Sequence, residues 1–363
     1  MPDKNTRLKK FFFLLCLSMI AYTASGQTAR KFSNEFLNIG VDAAALGMSN
    51  AVVAHIDHVN AAYWNPAGLA NIEDQEISLM HANYFASIAN YDFAAFAMPL
   101  DDRSAVAFSL IRFGVDDILN TTELIDNEGN IDFNRISLFS ATDWAFMFSY
   151  ARSAPVQGLK YGANAKVVRR IIGDFATSWG FGFDLGIQYE AGKWQLGLML
   201  RDITTTVNTW TFDEEEFQKI RDAIPGQNQD VPESTEVTLP KAQFGVSRMF
   251  ELGRDYELLA EIDLNARFFE TNDVISSSFV SLDPALGFQL DYLDMVFLRG
   301  GVGNFQNIEQ FDGSEELNVQ PNFGVGFRYR GIQFDYALTN IGEGGEALVS
   351  NVFSLRVDLS IFR

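Results

Sequence analysis

The chain has 363 residues, 47% of them hydrophobic and 33 of them phenylalanine, yet it carries a net charge of −20 and a mean hydropathy of zero. That composition is too apolar for a disordered chain and too acidic for a nucleic-acid binder. A single cysteine excludes a disulfide framework.

The first segment reads as an address. Lys4, Arg7, Lys9 and Lys10 precede the apolar run Phe11 to Tyr22, which closes in Thr23-Ala24-Ser25-Gly26. This is the order of a secretory signal, with cleavage expected after Gly26 and residues 1–26 removed. Cys16 lies inside the signal, behind a Leu15 where a lipoprotein signal wants a small residue, so the mature chain is expected to hold no thiol. Beyond it no apolar run approaches the roughly 20 residues of a spanning helix.

Residues 27–73 are rich in small residues without alternation, as in Gly40 to Met48 and Ala61 to Ala70. Asn65-Pro66 restricts the backbone, and Gly68 permits a left-handed one, so a tight turn is expected here. Such a segment suits a plug or hatch tucked into a lumen. His55 and His58 lie three apart with Asp57 between them, which offers two metal ligands on a helix face. Only His81 remains to complete a set, so neither a metal site nor a cofactor is expected. No Ser-His-Asp arrangement or phosphate-binding loop is recognisable, and no enzyme is expected.

From residue 76 the dominant period is two. Phe181, Phe183, Leu185, Ile187 and Tyr189 alternate with Gly182, Asp184, Gly186 and Gln188. The pattern returns at Trp194 to Arg201, Glu257 to Leu264, Phe323 to Arg330, Ile332 to Thr339 and Phe353 to Ile361. Fourteen such segments begin near residues 75, 89, 103, 142, 157, 177, 192, 238, 255, 283, 294, 318, 331 and 350. Long segments with an apolar face and a Gly-rich, charged second face predict an all-β fold: a 14-stranded antiparallel transmembrane β-barrel over 74–363 with a lumen rich in Gly, Asp, Glu, Gln and Arg.

The connections alternate in length, as they do in such barrels. Asp101-Asp102, Ala154 to Gly158, Ala191-Gly192, Leu252 to Arg254, Asp291 to Asp294 and Gly331 are short. Asp116 to Ala141, Thr204 to Val237, Phe268 to Leu282 and Asn304 to Leu317 are longer. Asp126-Asn127-Glu128-Gly129-Asn130-Ile131-Asp132 loosely resembles a calcium loop but lacks the closing Glu, so a solvated loop is expected. The longest loop offers a candidate partner-binding stretch in Trp210, Phe212, Asp213, Glu214, Glu215, Glu216 and Phe217, with the acids starting a short helix. Acids outnumber bases by 18 to 3 over 116–140, 203–238 and 304–318, which predicts an acidic outer rim. Trp144, Trp179 and Trp194 fall near strand ends, as in an interfacial girdle.

Residues Ala43-Ala44-Ala45-Leu46-Gly47-Met48, Ala51-Val52-Val53-Ala54 and Tyr63-Trp64-Asn65-Pro66-Ala67-Gly68-Leu69 resemble the amino-terminal signature of the PorV/PorQ proteins of Bacteroidetes, relatives of the FadL long-chain fatty-acid transporters. The resemblance implies a hatch motif of Gly47, Met48, Asn65, Pro66, Ala67 and Gly68 acting structurally. It implies an outer-membrane accessory barrel of type IX secretion that binds secreted cargo through carboxy-terminal signal domains and shuttles it to the surface; the even strand count suits both termini on the periplasmic side. Two alternatives accompany it: a FadL-type transporter of fatty acids or other hydrophobic compounds, and a PorQ-like structural subunit of a surface attachment complex. Where the family pattern has an acidic pair, this chain has Asp57-His58.

Overall fold

The computed structural model describes residues 33–362, apart from 86, 126–129, 224–233, 311–312 and 341–348. The predicted signal, Asp126 to Gly129 of the calcium-like loop and part of the longest loop lie outside the described residues. Fourteen antiparallel strands close into a barrel. They are β1 (Glu76–Tyr84), β2 (Ala89–Asp101), β3 (Ser104–Asn120), β4 (Ser137–Ser153), β5 (Leu159–Ile172), β6 (Ala176–Ala191), β7 (Trp194–Arg201 continued by Thr206–Phe212), β8 (Thr235–Thr238 continued by Lys241–Glu251), β9 (Tyr256–Arg267), β10 (Ser281–Tyr292), β11 (Val296–Glu309), β12 (Glu315–Tyr329), β13 (Ile332–Asn340) and β14 (Val349–Asp358). β1 closes the ring by pairing with both β2 and β14, in the registers Met80↔Phe93 and Glu76↔Asp358.

The alternation works as the sequence predicts. Along β6, Phe181 is 61% exposed on the outer face, while Asp184 and Gln188 are buried on the inner one. Trp179 and Tyr189 both face outward on β6. At roughly 3.3 Å per residue and a strand tilt of about 40°, their ten-residue separation spans about 25 Å, the height of an apolar membrane band. Tyr161, Trp194, Tyr256, Tyr292 and Tyr329 ring the tight-turn end, a girdle mostly of tyrosines that the tryptophans alone did not reveal.

Three expectations need correction. The strands run further than predicted, so the connection expected over 304–317 shrinks to 310–314, and β4 begins at Ser137 rather than near 142. The last strand stops at Asp358. Leu359–Phe362 form a 3-10 turn, which takes Phe362 off the strand altogether. The lumen is not uniformly polar either. On β1 to β4 the inward positions include Tyr84, Tyr91, Phe93, Ile111 and Met147, all part of one buried apolar cluster.

That cluster is shared with residues 33–73, which lie inside the ring. Their partners come from every side of it: Met80 on β1, Asn164 on β5, Gln188 on β6, Asp263 on β9, Asn322 on β12 and Ser354 on β14. Within this segment are α1 (Ala43–Gly47), α2 (Ala61–Trp64) and a 3-10 turn over Pro66–Asn71. α2 and the 3-10 turn sit against β3 to β6, whereas α1 sits against β11 to β14. α3 (Glu214–Ala223) lies in the longest connection.

Candidate functional site

Asn65 organises the seat of the inner segment. It is fully buried; its Nδ2 donates to the carbonyls of Val53 (2.9 Å) and Ile187 (3.1 Å), and its Oδ1 accepts from Ala67 N–H (3.2 Å). Pro66 opens the 3-10 turn, where a missing N–H costs nothing. The facing barrel positions are glycines for a steric reason. A Cβ on Gly186 would collide with Asn65 Oδ1, and one on Gly162 would press into the backbone of Pro66 and Ala67. Gly68 differs from expectation, since it is not among the residues with positive φ. Its need for glycine is close approach, because a Cβ would collide with the Ile56 carbonyl.

α1 is seated against the opposite side of the barrel. Asp42 caps it by accepting from Ala44 N–H (3.1 Å), and Ser354 Oγ accepts from Ala43 N–H (2.5 Å). Gly47 lies against Gly324, where a Cβ would come within 2.9 Å of the Gly324 Cα, and Met48 packs on Gly287 and Gly301. Beyond α1, Asp263 accepts from Val52 N–H (3.0 Å) and Val53 N–H (3.1 Å), and Asn322 donates to Ser49 Oγ (2.8 Å). Gly40, Asp42, Ser49 and Asn50 all have positive φ, so left-handed residues flank α1 on both sides.

Two cavities lie on opposite faces of α1 and share no lining residue. The upper one, toward the long connections, has a volume of about 300 Å³ and is bounded by Leu46, Tyr63, Trp64, Arg201, Lys241 and Arg267 among others. The lower one, of about 250 Å³ toward the tight turns, is bounded by Ala45, Met48, His58, Arg299, Arg328 and Arg356 among others. Both are lined by more charged and amide groups than apolar ones.

His55 and His58 both border the lower cavity. His55 Nδ1 shares a hydrogen bond with Glu261 Oε2 at 2.5 Å, and burial pulls the His55 pKa down to about 4, which favours the neutral ring. His58 Nε2 lies 3.9 Å from Asp42 Oδ2; burial lowers its pKa, and the Arg356 charge lowers it further. Among the described residues no cluster of His, Cys, Asp and Glu is arranged to hold a metal.

The candidate partner-binding stretch is built differently from a loop. Trp210 and Phe212 belong to the second part of β7. Trp210 is 7% exposed, with Arg170 5.1 Å from its ring, and Phe212 lies parallel to it and edge-on to Phe217. Asp213 caps α3 by accepting from Glu215 and Glu216 N–H (3.0 Å each), so Glu214, Glu215 and Glu216 form its first turn. Arg170 turns inward to Asp143 (2.9 Å) and Glu236 (3.1 Å), while its neighbour Arg169 lies over Trp179.

The residues that sequence reasoning missed are Arg201, Lys241 and Arg267. They lie directly opposite one another across β7, β8 and β9, all bordering the upper cavity. Their signal was a basic residue at an inward position of three successive strands, legible only once the register was known.

The molecule is thus a transmembrane barrel whose lumen holds its own amino-terminal segment between two chambers. No protein-family profile matches the chain. No curated protein sequence matches it either. Solved structures similar to it include the Pseudomonas putida toluene transporter TodX, at 12% identity over 88% of this chain and 98% of that one with a TM-score of 0.55. The Ralstonia pickettii toluene transporter TbuX gives 12% identity, the same coverages and a TM-score of 0.51. The CymD monoaromatic hydrocarbon channel, again at 12% identity over 88% and 98%, has a TM-score of 0.52. At this identity the likeness establishes the fold.

Proposed function

We infer that this protein is an outer-membrane conduit of the FadL type. A small solute enters the upper chamber from outside, passes α1, and leaves through the lower chamber into the periplasm. The observation that carries this reading is the pair of cavities on opposite faces of one short helix. Residues 27–73 then act as the hatch, with Asn65, Pro66, Ala67 and Gly68 holding its seat and Gly47 and Met48 its movable part. The export signal and the apolar outer wall support an outer-membrane location with the tight turns and both termini periplasmic. Toluene and monoaromatic hydrocarbons are what the similar structures are named for, so hydrophobic compounds are the first class to test.

The cargo-shuttle reading rests on the motif over 43–69 and on the acidic rim. Against it, Trp210 and Phe212, the aromatic residues offered for cargo, are engaged with Arg170, Phe217 and each other. The two readings separate in one experiment. The protein is expressed in a bacterium lacking its own conduit of this type, and uptake of a labelled aromatic hydrocarbon, an aromatic carboxylate and a phosphate ester is followed. A severalfold rise over empty vector for at least one is expected. No rise for any of the three, together with co-purification of secreted proteins, contradicts the conduit.

A further inference from the structure

The upper chamber carries an arrangement that the fold does not require. Arg201, Lys241 and Arg267 stand side by side in one cross-strand row, in the registers Lys241↔Arg201 and Lys241↔Arg267. Directly opposed side chains lie about 5 Å apart at Cβ, and like charges so placed repel. Such a row persists where something offsets the repulsion.

A carboxylate pairs directly with the row only at one end. Asp273 pairs with Arg267 at 2.9 Å. Asp184 and Asp202, which border one small cavity together with Arg201 and Lys241, both close on Lys166, at 2.8 and 2.6 Å. The two acids bordering the chamber make no ion pair with the row: Glu35 accepts from Asn38 Nδ2 (2.5 Å), and Asp283 accepts from Phe305 N–H (3.3 Å). Among the described residues, neither Arg201 nor Lys241 forms an ion pair with a carboxylate. Arg201 is 5% exposed, and a buried cation without an anion is costly.

The surrounding bonds leave donors for a ligand. Arg201 Nε donates to Gln243 Oε1 (2.7 Å), and Gln243 Nε2 donates to Asn265 Oδ1 (2.7 Å). This directs the amide chain away from the guanidinium Nη groups and leaves the Asn265 amide nitrogen as a donor at the chamber wall. Lys241 donates to Asn38 Oδ1 and retains two further N–H groups. Tyr63 packs against the Arg201 guanidinium, 4.4 Å from ring centroid to Cζ.

From this row we propose that the upper chamber is an oxyanion site, taking a small solute with two negative charges: a phosphate monoester or a compound with paired carboxylates. A volume of about 300 Å³ accommodates such a molecule whole. A toluene-like compound uses none of the row, and a single carboxylate satisfies one cation of it. The proposal goes beyond the conduit reading, since binding in the chamber is required whether or not the solute then crosses.

Binding is measured on the full chain purified in detergent, by calorimetry and by ligand-induced change in Tm. The probes are inorganic phosphate, glycerol 3-phosphate and citrate, with benzoate and toluene as controls. The dianions are expected to bind at least tenfold more tightly than benzoate, and more weakly as salt rises. Lys241→Met relieves the repulsion in the row, so its ligand-free Tm should hold or rise while dianion affinity falls at least tenfold. A merely structural lysine gives the opposite pattern, a lowered Tm with binding intact. Arg201→Gln should lose binding likewise. The proposal is overturned if no dianion binds the wild-type protein, if Lys241→Met binds them unchanged, or if benzoate or toluene binds as tightly. Binding without any uptake in the expression experiment contradicts the conduit and leaves the oxyanion site standing.

Discussion

The two halves of the inner segment meet the barrel in different ways. α2 and the Pro66–Asn71 turn are sunk into β3 to β6 through an apolar cluster, a network around Asn65 and glycines that admit the backbone. α1 meets β11 to β14 through a few hydrogen bonds and glycine contacts, with a chamber on each face. Burial of large apolar side chains makes the first contact expensive to break. The second also buries Leu46 and Met48 in that cluster, and what sets it apart is the left-handed residues on both sides of α1, which supply places to bend. A segment meant only to block the lumen would be seated alike on both sides; one that gates it needs a fixed half and a movable half.

Glycines line the contact on both sides and serve as probes of it. Gly186→Val drives a side chain into Asn65 and Pro66 on the fixed side. Overpacking of this kind should cost about 3 kcal/mol, and Tm should fall by several degrees with loss of heat-resistant migration in gels. An unchanged Tm means that the seat around Asn65 yields easily and that the inner segment has no fixed half.

A smaller effect is expected at His55, beside the lower chamber. Its folded pKa of about 4 lies below the ordinary 6.5, so the stability held by the neutral ring is complete above pH 6.5 and is lost as pH falls toward 4. Tm followed from pH 7 to pH 4 should therefore drop further for the wild type than for His55→Gln. Parallel curves for the two proteins contradict this role.

The smallest effect belongs to Gly303, on the wall of the upper chamber, where a Cβ finds Ala285 at 3.4 Å, an ordinary contact. Gly303→Ala should change stability by no more than about 0.5 kcal/mol. A loss comparable to that of Gly186→Val erases the difference between the two sides.

Much of the barrel was legible because its signal is local. The alternation of Phe181 to Tyr189 against Gly182 to Gln188 states which face is lipid, and the spacing of Gly and Asp turns states how strands succeed one another. The Asn65-Pro66 pair likewise announced a turn. What stayed hidden depends on which strands stand opposite which. Arg201, Lys241 and Arg267 are far apart in sequence and become one row only through the registers of β7, β8 and β9. The apolar lining of β1 to β4 was hidden for a related reason: Tyr84 and Tyr91 read as ordinary alternating residues until the inner segment is packed against them. Gly68 shows the same limit on a small scale, since sequence suggests a left-handed turn while the fold uses its missing Cβ.

The gating claim is tested most directly by locking α1 to the wall. Asn322 Nδ2 donates to Ser49 Oγ at 2.8 Å, so Ser49→Cys and Asn322→Cys place two thiols at contacting positions, to be joined by oxidation. The described residues contain no cysteine to compete with it, the one in the chain being Cys16. Solute flux through the double variant is then compared in oxidised and reduced forms of the same preparation. Flux lost on oxidation and restored by reductant is the result expected if the path runs past α1. Equal flux in the two forms, with the disulfide verified by mass spectrometry, contradicts it.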